Sequence, residues 1–377
     1  MIEPTDTLYI ETIGTNPTRL WGLTMAERTR RIGAEMDGKP NGGAPVLLAN
    51  ADFAADPSWI RHLAENPGMV LTAGGVPALA HARTPDEAAA LTEAMRQDRA
   101  LGQPERQDLQ VLEYDDAPTI EDKKLRKRET PFLMRLTPQT RPAIERASYF
   151  GAYKGVTDLL TKYLWPEWAL WLTRLAARIG MTPNMVTAIG AAFCVAAAFA
   201  FADGDYWLGM ALGLAFMVLD TVDGKLARCT ITSSWWGNIF DHGIDLVHPP
   251  FWYWFWGTGL VHWGLGFEGS TFAWVMTAII AGYVVQRVIE GVFMRRHGGM
   301  HIHVWRRFDS QFRLITARRN PNMVILFVSV VFGRPDLGLI AVAWWTVISC
   351  LVHAVRLAQA TSVARRQGFL TSWLAEA

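Results

Sequence analysis

Residues 220–245 read DTVDGKLARCTITSSWWGNIFDHGID. Aspartates stand at 220, 223, 241 and 245, the first pair spaced i,i+3 and the second i,i+4. On helices each pair projects from one face. Gly224 follows the first pair, Ala227 and Arg228 come one turn later, and Gly237 lies four residues before Asp241. The flanks are apolar, GMALGLAFMVL before and LVHPPFWYWFW after. The pattern therefore puts four carboxylates where two hydrophobic helices meet the cytoplasmic side of a bilayer, a costly position that usually serves a function. Converging carboxylates repel unless cations neutralise them, and hard oxygen ligands point to Mg²⁺ or Mn²⁺ rather than zinc. Two ions in one cluster suit displacement at phosphorus, because charge on the attacking and leaving oxygens is stabilised together. The plain alternative is a set of helix-end aspartates in surface salt bridges, and the apolar flanks argue against it.

These positions fill the signature D-x2-D-G-x2-A-R-x8-G-x3-D-x3-D at every fixed place, with Cys229 to Trp236 as the x8 spacer. In this the chain resembles the CDP-alcohol phosphotransferase family over about residues 165–360. The resemblance implies a membrane enzyme that moves a substituted phosphate from a CDP-alcohol to a hydroxyl acceptor and releases CMP. It implies that Asp220, Asp223 and Asp241 bind metal and diphosphate, that Asp245 completes a second metal site, and that Asp245 also serves as general base. Gly224 and Gly237 then permit close approach of the nucleotide, Ala227 keeps that face flat, and Arg228 offers a fork to phosphate oxygens. MTPNMVT matches the family as well. Asn184 and Thr187 there are candidates to bind the nucleotide, against simple capping of the helix by Thr182. A homodimer is the family's implied assembly.

Outward from this centre the chain holds six apolar segments, near 184–202, 206–222, 238–261, 272–293, 323–332 and 337–357. The fifth is short for a bilayer of about 30 Å. Lys and Arg concentrate in 115–180, 225–237, 294–322 and the C-terminal tail, so both termini and the aspartates are expected on the cytoplasmic side of an integral, multi-pass protein, in the inner membrane if the source is bacterial. Leu164 to Gly180 repeats Trp165, Trp168, Leu172, Leu175 and Ile179 at helical steps with Arg174 and Arg178 beside them, the pattern of a helix lying in the interface. Packing of that helix on a soluble domain is its alternative.

The 377 residues are half hydrophobic and include 17 Trp, with a net charge of +1 that gives no sign of a nucleic-acid partner. Cys194, Cys229 and Cys350 have no paired spacing, which argues against a disulfide framework or zinc site. The N-terminus lacks the basic and apolar regions of a signal peptide. Residues 1–115 alternate strand and helix patterns and predict a small soluble α/β unit. Its order resembles part of a sugar-nucleotide nucleotidyltransferase, but Gly42 and Gly43 in KPNGGAP look like a turn rather than a phosphate loop. A truncated, non-catalytic domain is expected, with Asp52 a loop residue. Residues 116–163, dense in Lys and Arg, read as a basic linker that also touches anionic headgroups. Residues 164–360 form the expected membrane domain of six transmembrane helices, and 361–377 a cytoplasmic tail.

Between Arg287 and Arg319 lie eight arginines, among them Arg313, Arg318 and Arg319 in RLITARRNPN. That run resembles inositol-phosphate-using family members, such as di-myo-inositol-phosphate-phosphate synthases, in which such arginines hold the acceptor phosphate. Ordinary positive-inside charge is the alternative. His301 and His303 are expected to be solvated, and His248 either lines an acceptor pocket or bonds within the bundle. Two rival readings remain, a phospholipid synthase joining CDP-diacylglycerol to another polar alcohol, and an inactive membrane scaffold that keeps the fold. A transporter would show paired helix breaks, and none appears.

Overall fold

The structure, a computed structural model, describes residues 10–36, 46–103 and 108–375. The expected turn at Gly42 and Gly43 lies outside them. The N-terminal unit is built on a five-stranded sheet. Its strands run β1 (Ile10–Ile13), β2 (Val46–Asn50), β5 (Val76–Ala82), β4 (Met69–Ala73) and β6 (Gln110–Glu113) across the sheet. The outer pairs β1–β2 and β4–β6 are parallel and the inner pairs antiparallel. Alternation along the strands covers both faces. Leu48, Val70 and Ala80 meet Leu91 and Met95 of α3 (Pro85–Arg96). Leu47, Leu71 and Leu79 meet Trp59 and Leu63 of α2 (Pro57–Ala64). α1 (Met25–Ala34) starts where the Thr24 side chain accepts from Glu27 N. Asp56 and Thr84 cap α2 and α3 in the same way, each before a proline at the helix start.

The stretch expected to be a linker, 116–163, is folded. β7 (Ile120–Asp122) and β8 (Lys127–Glu129) pair antiparallel, and β9 (Leu133–Arg135) pairs with β3 (Phe53–Ala55). α4 (Arg141–Gly151) and α5 (Leu159–Tyr163) follow. Charge density misled the reading because the apolar residues are sparse. Leu133, Leu136, Ile144 and Tyr149 are nonetheless fully buried.

The helical part comprises α6 (Pro166–Arg178), α7 (Pro183–Ala202), α8 (Tyr206–Cys229), α9 (Trp235–Gly259), α10 (Thr271–Arg296), α11 (Arg307–Arg313), α12 (Arg319–Val331) and α13 (Pro335–Gln367). Four of these, α7, α8, α10 and α13, are long and apolar enough to cross a membrane. α9 has the length, with 25 residues, but carries Asp241, His242, Asp245 and His248. α12 has 13 residues, about 20 Å at the helical rise, which is shorter than the apolar layer. The six expected segments are thus all helices, and four meet the requirement for spanning. On α6 the exposed apolar side chains are Trp168, Trp171, Leu175 and Ile179. Trp165, expected on that face, is instead buried and donates to Thr221 Oγ1 at 3.1 Å, tying α6 to α8.

α7, α8 and α9 pack as the central layer. Trp252 Nε1 donates to Cys194 O at 3.0 Å, and Tyr206 Oη donates to Trp256 O at 2.8 Å. Pro249 and Pro250 lie inside α9. A proline removes the hydrogen bond to the carbonyl four residues back, and the carbonyl that Pro250 frees, Leu246 O, accepts from Tyr283 Oη at 3.0 Å. The helix that carries Asp241 and Asp245 is thereby tied to α10.

Candidate active site

Asp220 and Asp223 leave α8, and Asp241 and Asp245 leave α9, toward one another. Carboxylate oxygens of Asp220, Asp241 and Asp245 all lie within 4.8 Å of each other. Asp223, 3% exposed, stands just beside them and accepts from Thr187 Oγ1 at 2.6 Å. Thr187 thus orients an aspartate. Asn184 lies against Gly237, where a Cβ would come within 2.9 Å of its Oδ1 and displace that side chain. Thr182 caps α7, accepting from Met185 N at 3.3 Å.

Arg228 and the neighbouring Lys225 converge on one acceptor. Arg228 Nε donates to Ala152 O at 3.1 Å and Lys225 Nζ to the same oxygen at 2.9 Å. Ala152 ends α4, so two cations meet the negative end of that helix. Lys225 also stands 3.1 Å from the centre of the Tyr153 ring. The terminal nitrogens of Arg228 lie over Gly224, where a Cβ would sit 3.1 Å from Nη2. Ala227, one residue before Arg228 on α8, is half-buried. The sequence reading passed over Lys225 because its role depends on α4.

The loop after α4 is pinned at Ala152 by these cations and at Gly155, whose N–H donates to Leu125 O at 2.9 Å. Lys154 lies between the two pins, among Arg126, Arg228, Asp241 and Asp220. It keeps a solvent-facing edge. Partial desolvation, then Arg126 and Arg228, still lower its ammonium from 10.5 to about 8 against the pull of both aspartates.

The three arginines expected to hold an acceptor separate. Arg319 joins the aspartates, donating to Asp245 Oδ1 at 2.6 Å and Asp220 Oδ2 at 2.7 Å. Arg318 pairs with Glu290 and lies 3.3 Å from His303 Nε2. Arg313 is buried, and its Nε and Nη1 have no hydrogen-bond partner among the described residues. Burial, with Arg318 close by, lowers Arg313 to about 9 and Arg126 to about 10. His303, expected to be solvated, is 3% exposed, because the turn at Ile302–Val304 folds it against Glu290 and His353. Neither ring nitrogen of His353 has a partner among the described residues. Arg313, Arg318 and Arg126 therefore form a basic cluster, with Arg313 buried and the other two half-buried. Asp52 is a turn residue that accepts from Asn16 Nδ2 at 3.0 Å.

A groove of about 820 Å³ runs between α7 and α9, with Asn184, Cys194, Phe240, Phe251 and Trp252 in its walls. Ile244 lines both the groove and the pocket that holds Asp220, Asp223 and Asp241. The apolar groove therefore adjoins the carboxylate pocket at Ile244. His248 lies in its wall with Nδ1 2.6 Å from Ile244 O.

Oxygen-only donors from two helices, with Arg319 the one cation bonded to them among the described residues, match the coordination that Mg²⁺ or Mn²⁺ takes. Four carboxylates exceed the charge of one arginine, so the donor set fits divalent cations.

Residues 180–317 match the family model described as CDP-alcohol phosphatidyltransferase. Relatives include an uncharacterised CDP-alcohol phosphatidyltransferase class-I family protein of Schizosaccharomyces pombe, 35% identical over 25% of this chain and 28% of the relative. Cholinephosphotransferase 1 of Gallus gallus is 34% identical over 31% of this chain and 36% of its own. Phosphatidylinositol phosphate synthase of Streptomyces avermitilis is 34% identical over 24% and 38%. The chain thus spans about a third of the length of these relatives. The crystal structure of Mycobacterium tuberculosis phosphatidylinositol phosphate synthase with CDP-DAG bound aligns over 50% of this chain and 92% of that one, at 18% identity and a TM-score of 0.39.

Proposed function

We propose, on the premise that residues 180–317 belong to the CDP-alcohol phosphatidyltransferase family, that the chain transfers a substituted phosphate from a CDP-alcohol to a hydroxyl and releases CMP. The observation that carries this reading is the meeting of Asp220, Asp241 and Asp245 within 4.8 Å, with an apolar groove adjoining them at Ile244. The groove supports a lipid substrate, and the polar end supports the diphosphate and a small acceptor.

In this reading the four aspartates hold divalent cations, which when bound neutralise the diphosphate and stabilise the oxygens that attack and leave. Thr187 keeps Asp223 in place. Arg228, with Nε committed to Ala152 O, turns its terminal nitrogens over Gly224 toward the phosphates. The backbone at Gly224 and Gly237 lets the nucleotide lie close, and Asn184 borders it. Asp245, whose side chain is 44% exposed, accepts the proton of the attacking hydroxyl as the new phosphorus–oxygen bond forms and the bond to CMP breaks.

The favoured acceptor is an inositol phosphate or a similar polar phosphate. Unpaired N–H groups on Arg313 and Arg318 support an anion there, because a buried donor left without a partner is costly. The protein is proposed to act in phospholipid or polar-headgroup synthesis, as a multi-pass homodimer with its site at the cytoplasmic face. Purified protein with Mg²⁺ tests this by CMP release, with several CDP-alcohols crossed against inositol phosphate, glycerol phosphate, serine, inositol and diacylglycerol. Release with a phosphorylated acceptor alone is expected. Release with unphosphorylated alcohols only would move the reading to another phospholipid synthase, and no release with any pair would leave a scaffold.

A further inference from the structure

The first residues of the spacer between the two aspartate pairs, Cys229 to Ile231, are held by the N-terminal unit. Arg28 of α1, 1% exposed, donates from Nη1 to Cys229 O at 3.0 Å. Arg31 donates from Nη1 to Thr230 O at 3.0 Å. Ile231 is buried in the same apolar cluster as Phe53, Trp59 and Leu63. Glu35, just past the end of α1, lies near Ser233. Arg28 and Arg31 are spaced three apart, so one face of α1 makes both polar contacts.

Cys229 and Thr230 end α8, and their carbonyls belong to the set that a helix leaves without internal partners. Two guanidiniums satisfy them and meet the negative end of the helix. Ile231 has a φ of +51°, a left-handed conformation that a β-branched residue rarely adopts. Such a conformation persists only where the surroundings over-determine it, and here the flanking caps and the apolar cluster do so. Three residues later Ser234 accepts from Gly237 N at 3.0 Å and starts α9. The chain therefore passes from one aspartate helix to the other along a path that a different part of the protein fixes. None of these contacts lies within the sequence signature itself, whose spacer positions are free.

We infer that the N-terminal α/β unit is a clamp that sets Asp220 and Asp223 against Asp241 and Asp245, with Arg28, Arg31 and Ile231 as positioning residues for the metal centre. The inference rests on the reading of the four aspartates as divalent-cation ligands. Arg28, Arg31 and Ile231 act through the backbone of the spacer.

The full-length protein in nanodiscs tests this, with Mn²⁺ as the probe and bound ion measured from loss of the aqueous electron paramagnetic resonance signal. Removing groups that orient metal ligands costs roughly 10- to 100-fold in affinity. Arg28→Met keeps the bulk and loses the donors, and Ile231→Gly accepts the backbone angle and loses the anchor. Each is expected to raise the Mn²⁺ dissociation constant about tenfold. Arg28→Lys keeps one donor and should recover most of the affinity. Arg31→Met, at a partly exposed position, should give a smaller shift in the same direction and serves if Arg28→Met fails to insert. Unchanged Mn²⁺ binding in Arg28→Met, Ile231→Gly and Arg31→Met overturns the clamp, even if melting temperatures fall. Wild-type protein that binds Mn²⁺ but releases no CMP sinks the proposed function, and the clamp then stands or falls on the variants' Mn²⁺ affinities.

Discussion

Arg319 and Asp245, 74 residues apart, meet at 2.6 Å, and the second terminal nitrogen of the same guanidinium reaches Asp220 at 2.7 Å. The planar fork bridges carboxylates from two helices, a geometry that an ammonium cannot reproduce. Its guanidinium also lies 4.9 Å from the centre of the Phe216 ring. Arg319 therefore belongs with the aspartates, while Arg318, its neighbour in sequence, points to Glu290 and His303. The sequence alone had assigned both to an acceptor phosphate.

That separation makes the two variants diverge. Arg319→Ala leaves the carboxylates less neutralised, so kcat should fall at least tenfold and the metal concentration for half-maximal activity should change. Arg319→Lys should rescue little, because it cannot bridge both groups. Arg318→Ala should instead raise the acceptor KM about tenfold, the scale of a charge-assisted contact of about 1.5–3 kcal/mol, and leave the donor KM in place. Steady-state CMP release with each substrate varied in turn reads this. Equal losses for donor and acceptor in Arg318→Ala would remove the reason for preferring a phosphorylated acceptor.

Thr187 gives a second discrimination. Its hydroxyl donates to Asp223 at 2.6 Å in a buried setting. Thr187→Val keeps the shape and leaves a carboxylate oxygen without its donor, a loss of about 1–3 kcal/mol. Activity should drop roughly tenfold with a shifted metal optimum, and Thr187→Ser should restore it. A rise in donor KM alone would mean that Thr187 serves the nucleotide instead.

Metal removal tests the cluster directly. EDTA should abolish CMP release, and Mg²⁺ or Mn²⁺ should restore it while Ca²⁺ does so poorly, since small ions best fit a compact carboxylate cluster. Full activity in a metal-stripped sample would end the two-metal reading.

How much of this was legible in the sequence depended on whether the relevant neighbours were close in the chain. The aspartate pairs, Thr182 and the apolar helices follow local periods: Asp220, Asp241 and Asp245 meet, Thr182 caps α7, and four of the six apolar segments are long and apolar enough to span. Lys225 and Arg228 meet Ala152 more than seventy residues away, and no local pattern announces that. Trp165 and His303 were read as exposed because aromatic stripes and HxH runs do not reveal what packs on them. Both are buried by helices from elsewhere, α8 for Trp165 and α13 for His303. The folded state of 116–163 was hidden for the same reason, since β9 finds its partner strand about eighty residues earlier.

Lys154 supplies the last test, through pH. Its ammonium titrates at about 8, well under the usual 10.5, because desolvation and the neighbouring Arg126 and Arg228 disfavour the charged form. The sign follows from the charge. Below about pH 8 the side chain is a cation beside the site and favours a diphosphate there. Above that value it loses its proton, and an anionic donor loses the attraction. The donor kcat/KM, which reports the free enzyme, should therefore fall as pH rises through about 8. Lys154→Arg keeps its charge across this range, so the fall should move to higher pH. Lys154→Ala should show a low donor kcat/KM at pH 7 and no fall centred near 8. A profile in which wild type and Lys154→Ala share the same alkaline limb would place the titrating group elsewhere and remove Lys154 from donor binding.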